Sequence, residues 1–105
     1  MEESKPRTAE EYVKLVDRAI LEADELRACY EFDMEDPGDH LRYLEPLQQG
    51  LRLLRQSMAD GAYEFENKDL PFMVLVKRYH EQLPFARLLL TINETHRHGL
   101  DISGE

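Results

Sequence analysis

The chain has 105 residues, of which 33% are charged and 42% hydrophobic, and its formal net charge at pH 7 is −9. A chain of that length accommodates one domain with one core, and the composition is that of a globular protein rather than a disordered one. The negative charge argues against nucleic acid as a partner, because phosphate backbones are held mainly by basic side chains.

Export and membrane insertion have no support in the sequence. Residues 1–6 are polar and lack the apolar core of a secretory signal, and the longest apolar run, 72–76, is far shorter than the roughly 20 residues of a membrane-spanning helix. Cys29 is the single cysteine, which excludes an intrachain disulfide and a cysteine-based zinc site within one chain. We therefore expect a cytoplasmic protein with no membrane partner.

The first helix is predicted over residues 8–29. Thr8 and Glu11 have the spacing of a capping box, in which each side chain accepts a hydrogen bond from the other residue's backbone amide. Apolar residues then recur every three or four positions, which is typical of a helix with one buried face. The residues of that face are Tyr12, Val16, Ala19, Ile20, Ala23 and Leu26.

After this helix, the pattern changes to strict alternation. Residues 30–34 alternate large apolar side chains with carboxylates, a period of two that fits either an extended stretch or the frayed end of the helix. The same order of aromatic and acidic residues returns at 63–66. Two loops that anchor aromatic rings in the core are the favoured interpretation, and a minor two-stranded β pairing between residues 30–34 and 62–66 is the alternative.

The second helix has the most regular pattern, capped at its start by Asp36 or Asp39 and closed by Gly61 in the left-handed conformation. Pro46 lies inside this helix and removes a backbone hydrogen bond, so we expect a kink or break near residues 43–45. Gly50 weakens the helix or lets a neighbour approach closely. Its apolar seam consists of Leu44, Leu47, Leu51, Leu54 and Met58.

Two further helices are predicted at 71–83 and 85–98, with one kinked helix as the alternative, because Pro84 lies between them. Asp69 is the expected cap of the first. Residues 70–76 are apolar nearly all round, which predicts the most buried element of the protein. Gly99 is expected to close the last helix.

These elements predict an all-α fold, a single-domain four-helix bundle with a kinked second helix. Residues 1–7 are expected to form a disordered tail, residues 8–99 the helical bundle domain, and residues 100–105 a C-terminal tail. The acidity is uneven: residues 1–45 carry a net charge of −8, and residues 46–105 a net charge of −1.

The histidines do not indicate a metal site. On a helix Glu94 and His98 share a face while His96 points to the opposite side, and no histidine stands three residues after a glutamate as in helical di-iron proteins. His96 instead continues the apolar stripe of the last helix. It is predicted to be a partly buried, hydrogen-bonded histidine or to lie at an interface.

The remaining chemistry is equally sparse. Residues 31–39 hold several carboxylates, but an EF-hand loop beginning at Asp33 would have Pro37 and Leu44 where side-chain ligands are required. Cys29 is expected on or near the buried face of the first helix, without an activating neighbour. We therefore expect no metal, no cofactor and no catalytic activity.

A small acidic protein-interaction module, acting as an adaptor, a chaperone-like protein or a regulator, is the leading functional hypothesis. Its partner is expected to be a protein, basic in character, and a homodimer is an added possibility because Leu53, Leu75 and Leu90 lie off the main apolar stripes. The first alternative is an acidic inhibitor or immunity-type protein that binds a basic partner. The second alternative is a metal-binding helical bundle. The candidate partner-binding residues are Glu31, Asp33, Glu35, Asp36 and His96.

Overall fold

The computed structural model describes residues 5–100, and all regular secondary structure in that range is helical. The α-helices are α1 (Ala9–Asp33), α2 (Gly38–Ala59), α3 (Met73–Arg78) and α4 (Ala86–His98), with a 3-10 turn (His80–Gln82) between the last two. The outer parts of both predicted tails, residues 1–4 and 101–105, lie outside the described residues.

The β pairing suggested for residues 30–34 and 62–66 is wrong, because the described range contains no strand. Residues 30–33 continue α1, which ends four residues later than predicted. The alternative that residues 30–34 are the end of the first helix is therefore confirmed for residues 30–33, and the favoured interpretation of a loop at this position is wrong. The alternation of apolar and acidic residues suggested that one set of side chains is buried. In the structure, Phe32 is exposed to solvent together with its acidic neighbours, so the period of two does not reflect burial.

The predicted start of α1 at Thr8 is confirmed. The Thr8 hydroxyl accepts a hydrogen bond from the Glu11 amide at 3.0 Å. The Glu11 carboxylate accepts from the amide of Arg7 at 2.8 Å rather than from that of Thr8, so half of the capping box is replaced by a bond one residue earlier. Pro6, just before this cap, is buried.

α2 runs without a break from Gly38 to Ala59, so the break expected at residues 43–45 is absent. Pro46 and Arg42, one turn apart, both face solvent, and the helical position that Pro46 leaves without a hydrogen bond is therefore on the wet side. Of the two predicted caps, Asp36 accepts a hydrogen bond from the amide of Gly38, the first residue of α2, at 3.3 Å, although Pro37 stands between it and the helix. Asp39 lies within the first turn and is not the cap.

The α1–α2 hairpin forms the main part of the core. The predicted seam of α2 is confirmed: Leu44, Leu47 and Leu51 are fully buried, and they belong to one cluster with the buried face of α1. Ion pairs lie beside this seam and show that the two helices are antiparallel. Residues with higher numbers in α1 pair with residues with lower numbers in α2. The pairs are Asp17–Arg55 at 2.7 Å, Asp24–Arg52 at 2.9 Å and Arg27–Glu45 at 2.9 Å.

The other half of the chain does not complete a clear four-helix bundle. The helix predicted at 71–83 is reduced to the six residues of α3, and Pro84 separates it from α4, which settles the question of one kinked helix or two. α3 is not the most buried element either, since Val74 is 74% exposed. Asp69 caps nothing, as residue 72 precedes α3 and makes no side-chain cap.

Glycines do what the sequence indicated at three positions. Gly61 and Gly99 both have positive φ, 72° and 84°, at the ends of α2 and α4, where a side chain would be strained. Gly50 lets the following segment approach closely, because a Cβ added there would lie 3.1 Å from the ring of Phe72. The segment after α2 can therefore fold back against that helix.

A matched pair of leucines in α2 tests this assignment of the core. Leu47 is 0% exposed and Leu53 is 64% exposed, and both lie inside the same helix. Leu47→Ala should lower the free energy of unfolding by about 2–5 kcal/mol because it leaves a cavity, whereas Leu53→Ala should change it by roughly 0.5 kcal/mol or less. Urea denaturation followed by circular dichroism measures both, and equal losses would contradict the assignment.

Candidate functional site

The structure separates the predicted site residues into two groups. Glu31 and Asp33 end α1, and Glu35 and Asp36 follow in the loop to α2. His96 lies on α4 and connects through a hydrogen-bond chain to Tyr12, near the other end of α1. The helix from Tyr12 to Asp33 spans about 30 Å, so the two groups cannot act on one small ligand.

We call the first group the acidic tip: Glu31, Asp33, Glu35 and Asp36, together with the aromatic side chain of Phe32. All four carboxylates are exposed, and Phe32 is 90% exposed. Phe32 stands one helical turn beyond Ala28 and Cys29, which are also exposed, so a small apolar face lies among the carboxylates. This arrangement presents an apolar knob inside a negatively charged rim.

Two charges of the acidic tip, those of Glu31 and Asp33, stand in the last turn of α1, where the helix itself disfavours them. The C-terminal end of a helix carries partial negative charge, and carboxylates there cost typically 0.3–1 kcal/mol each at the surface. The last turn of α1 contains no basic residue. Among residues 5–100, Glu31 is the one carboxylate of the acidic tip with an ion pair, to Arg27 at 3.4 Å, while Asp36 accepts a hydrogen bond from the Gly38 amide at 3.3 Å. Among the described residues, little offsets the charge of this surface.

Behind the acidic tip, aromatic side chains fix the hairpin. The hydroxyl groups of Tyr30 and Tyr43 are 2.8 Å apart, which ties the last turns of α1 to the start of α2. The ring of Tyr30 also lies against His40, with centroids 4.5 Å apart, and Tyr43 stacks on Tyr79 at 4.3 Å. The acidic tip is thus mounted on a packed base rather than on a loose helix end.

His96 is buried, with 4% of its surface exposed, as the stripe of α4 predicted. Its Nδ1 lies 2.7 Å from the hydroxyl of Tyr63, whose oxygen is 3.0 Å from the hydroxyl of Tyr12. Tyr12 donates in turn to the carbonyl of Ile92 at 3.1 Å. Burial lowers the pKa of His96 below that of an ordinary histidine. The charge of Glu66 has a smaller effect that raises this pKa, and the charge of Lys68 a smaller effect that lowers it.

A cleft of about 450 Å³ opens beside His96, between the end of α2, the segment after it and α4. The segment is held there by the amide of Glu66, which donates to the carbonyl of His96 at 3.1 Å. The cleft is lined by Leu54, Ser57, Ala62, Tyr63, Glu64, Glu66, Lys68, Asp69, Leu70, Pro71 and His96. We call it the His96 cleft.

Asp69 anchors the far wall of the His96 cleft. Its carboxylate accepts hydrogen bonds from Lys77 at 2.8 Å and from the side-chain amide of Asn93 at 3.0 Å, and the oxygen of that amide group accepts from the Leu70 amide at 2.8 Å. The hydrogen bond from Lys77, followed by that from Asn93, lowers the pKa of Asp69. The residue that the sequence suggested as a helix cap therefore joins the 67–71 loop to α3 and α4.

Sequence reasoning missed the tyrosines of this network. Tyr12 was placed only on a buried face and Tyr63 only in a loop that anchors aromatics, and the spacing of 51 residues between them carries no signal of contact. Cys29 was expected near the buried face of α1 and is exposed, which corrects that prediction. The helix rotates it away from the core, onto the face of Phe32.

Metal and membrane chemistry find no support in the part of the chain that the structure describes. Residues 5–100 contain no group of three histidine, cysteine, aspartate or glutamate side chains placed to hold a metal ion. No helix in that same range combines the length and the apolar character needed to cross a bilayer. Comparison of the chain with protein-family models, with curated proteins and with solved structures gives no match.

The lowered pKa of His96 predicts how stability depends on pH. Because the folded state binds the proton more weakly than the unfolded state, whose pKa is about 6.5, stability is full above that value and falls as the pH decreases through the folded-state pKa. The free energy of unfolding of the wild type should therefore drop more between pH 7 and pH 5 than that of His96→Gln. NMR titration of the His96 ring measures the pKa directly, and a midpoint at or above 6.5 would contradict the assignment.

Proposed function

We propose that this protein is a protein-interaction module that binds a basic protein partner through the acidic tip, with Phe32 as the apolar anchor. The observation that carries the proposal is the 90% exposure of Phe32, which stands in sequence between the exposed carboxylates of Glu31 and Asp33. Aromatic residues that become fully desolvated in a complex commonly supply most of its binding free energy, while charges at the rim set the rate and the choice of partner.

The chemistry of the partner follows from the acidic tip. Its surface should offer an apolar pocket wide enough for a phenyl ring, rimmed by lysine or arginine side chains. Such a surface would release Phe32 from water and neutralise carboxylates that the end of α1 disfavours. Both contributions are available without a change of fold, because the aromatic base of Tyr30 and Tyr43 already holds the tip in place.

Substitution at Phe32 tests the apolar part of this proposal. Partners captured from the native host would be identified by mass spectrometry, and the affinity of the purified pair would be measured by calorimetry. Phe32→Ala should weaken binding about tenfold or more, since it removes the anchor, and should leave the fold intact because the ring is exposed. Val74→Ala, at another exposed apolar side chain, is the matched control and should bind like the wild type.

Salt dependence tests the charged part. Raising the salt concentration from about 0.1 M to about 1 M shortens the Debye length from about 10 Å to about 3 Å, so the association rate should fall steeply. Replacing Glu31, Asp33, Glu35 and Asp36 by their amides should remove most of that dependence. Binding that is unaffected by salt and by Phe32→Ala would reject the acidic tip as the interface.

The inhibitor alternative uses the same surface and differs in its readout. If the basic partner is an enzyme, the acidic tip would cover its active site and abolish its activity, as acidic immunity proteins do to basic targets. An adaptor would instead leave the activity of the bound partner intact. An activity assay on the captured partner, with and without a saturating amount of this protein, distinguishes the two.

The homodimer remains a further proposal. Of the three leucines off the main stripes, Leu53 and Leu90 are exposed, whereas Leu75 is half-buried against the core. The first two are available to a second copy of the chain. Light scattering at high protein concentration tests this, and a strict monomer would remove the dimer while leaving the acidic tip unaffected.

A further inference from the structure

One ring nitrogen of His96 is left for a ligand. Nδ1 is bonded to Tyr63, and Nε2 makes no hydrogen bond to the described part of the chain. No buried side-chain nitrogen or oxygen between residues 5 and 100 lacks a partner, so Nε2 is not sealed in the core. His96 lines the His96 cleft, and Nε2 is the ring nitrogen of this otherwise buried side chain that is left without a partner in residues 5–100.

The hydroxyl groups of the tyrosine chain determine which nitrogen carries the hydrogen. A backbone carbonyl can only accept, so all three hydrogen bonds of the chain are made together when Tyr12 donates its single hydrogen to Ile92 and accepts from Tyr63. Tyr63 has then used its own hydrogen, and its oxygen accepts from His96 Nδ1–H. In the neutral ring with this arrangement, Nε2 carries no hydrogen and offers a lone pair, and the lowered pKa of His96 favours the neutral ring near pH 7.

Three carboxylates line the His96 cleft, and two of them are paired with lysines. Lys68 lies 3.5 Å from Glu66, and Lys77 offsets Asp69. Glu64 is left as a carboxylate of the lining that pairs with no cation in the described range. The cleft thus presents a nitrogen lone pair, an unpaired carboxylate and the ring of Tyr63, and its size is within the roughly 300–1,000 Å³ typical of small-molecule sites.

We infer that the His96 cleft binds an organic cation with N–H donors, a guanidinium or a primary ammonium, which donates one hydrogen bond to His96 Nε2 and pairs with Glu64. The cation is either a free small molecule or the side chain of an arginine or lysine in a peptide. This site is independent of the acidic tip, from which it is separated by most of the length of α1.

NMR of the imidazole nitrogens tests the inference, with agmatine as the free guanidinium probe. Without ligand, His96 should show a protonated Nδ1 and an unprotonated Nε2. Added agmatine should shift the Nε2 resonance saturably, while His40, His80 and His98 stay unchanged. Tetramethylammonium is the matched probe that carries the charge without an N–H donor, and it should shift nothing. A protonated Nε2, or an equal response to both probes, would overturn the inference.

A capped arginine amide, offered in the same titration, distinguishes the two sources of the cation. Tighter binding of the arginine derivative than of agmatine assigns the site to a peptide side chain, and the reverse assigns it to a free amine. If neither shifts Nε2 at millimolar concentration, the inference fails. The outcome does not depend on the acidic tip, which Phe32→Ala tests separately.

Variants of the site sharpen the result. Tyr63→Phe removes the acceptor that holds the hydrogen on Nδ1, so the other tautomer becomes populated and agmatine should bind about three- to tenfold more weakly. Tyr30→Phe removes a hydroxyl from the other tyrosine pair and should have no effect on agmatine binding. Glu64→Gln, at an exposed position, should also weaken binding without disturbing the core. Wild-type affinity in both Tyr63→Phe and Glu64→Gln would overturn the inference.

Discussion

Burial of the α2 seam is the interaction on which the rest of the structure depends. Its leucines are removed from water by α1 on one side and by the segment from residue 70 onward on the other, and all belong to a single cluster. Two alanines of α1, Ala19 and Ala23, are fully buried in that cluster, and their small size leaves room for α2 to lie close along the whole hairpin. The antiparallel ion pairs lie at the margin of this contact, where exposed pairs contribute little free energy and mainly fix the register.

Signals that act over a few residues were readable in the sequence. The cap at Thr8, the seam of α2 and the left-handed glycines at 61 and 99 each depend on a local backbone or side-chain preference, and the structure bears out all of them. The burial of His96 was also predictable, because it continues a stripe on a single helix. Prediction failed where one pattern fits two structures, as in the alternation at residues 30–34, and where a break at Pro46 was expected without knowing that this face of the helix is exposed to solvent.

Contacts between residues that are far apart in the chain could not be predicted from the sequence. The shortening of the helix predicted at 71–83 and the absence of a clear bundle follow from how the 60–85 segment packs on the hairpin, which no local preference encodes. The same holds for the site. The hydroxyl chain joins residues 12, 63 and 96, which come from three separate parts of the chain, and only the fold brings them within hydrogen-bond distance. The acidic tip, by contrast, is contiguous in sequence, and its four carboxylates were identified from composition alone.

The two ends of the α1–α2 hairpin differ in how favourably their charged and polar groups are placed. At the acidic tip, carboxylates stand at the negative end of α1 and a phenyl ring stands in water, and both lower the stability of the isolated protein relative to a basic or neutral, polar tip. At the other end, the tyrosine hydroxyls bond one ring nitrogen of His96, and no buried side-chain nitrogen or oxygen in residues 5–100 lacks a partner. A partner at the tip would gain free energy by relieving an unfavourable arrangement. A ligand in the cleft would meet a site that is already ordered, and its binding should therefore require little rearrangement of the protein.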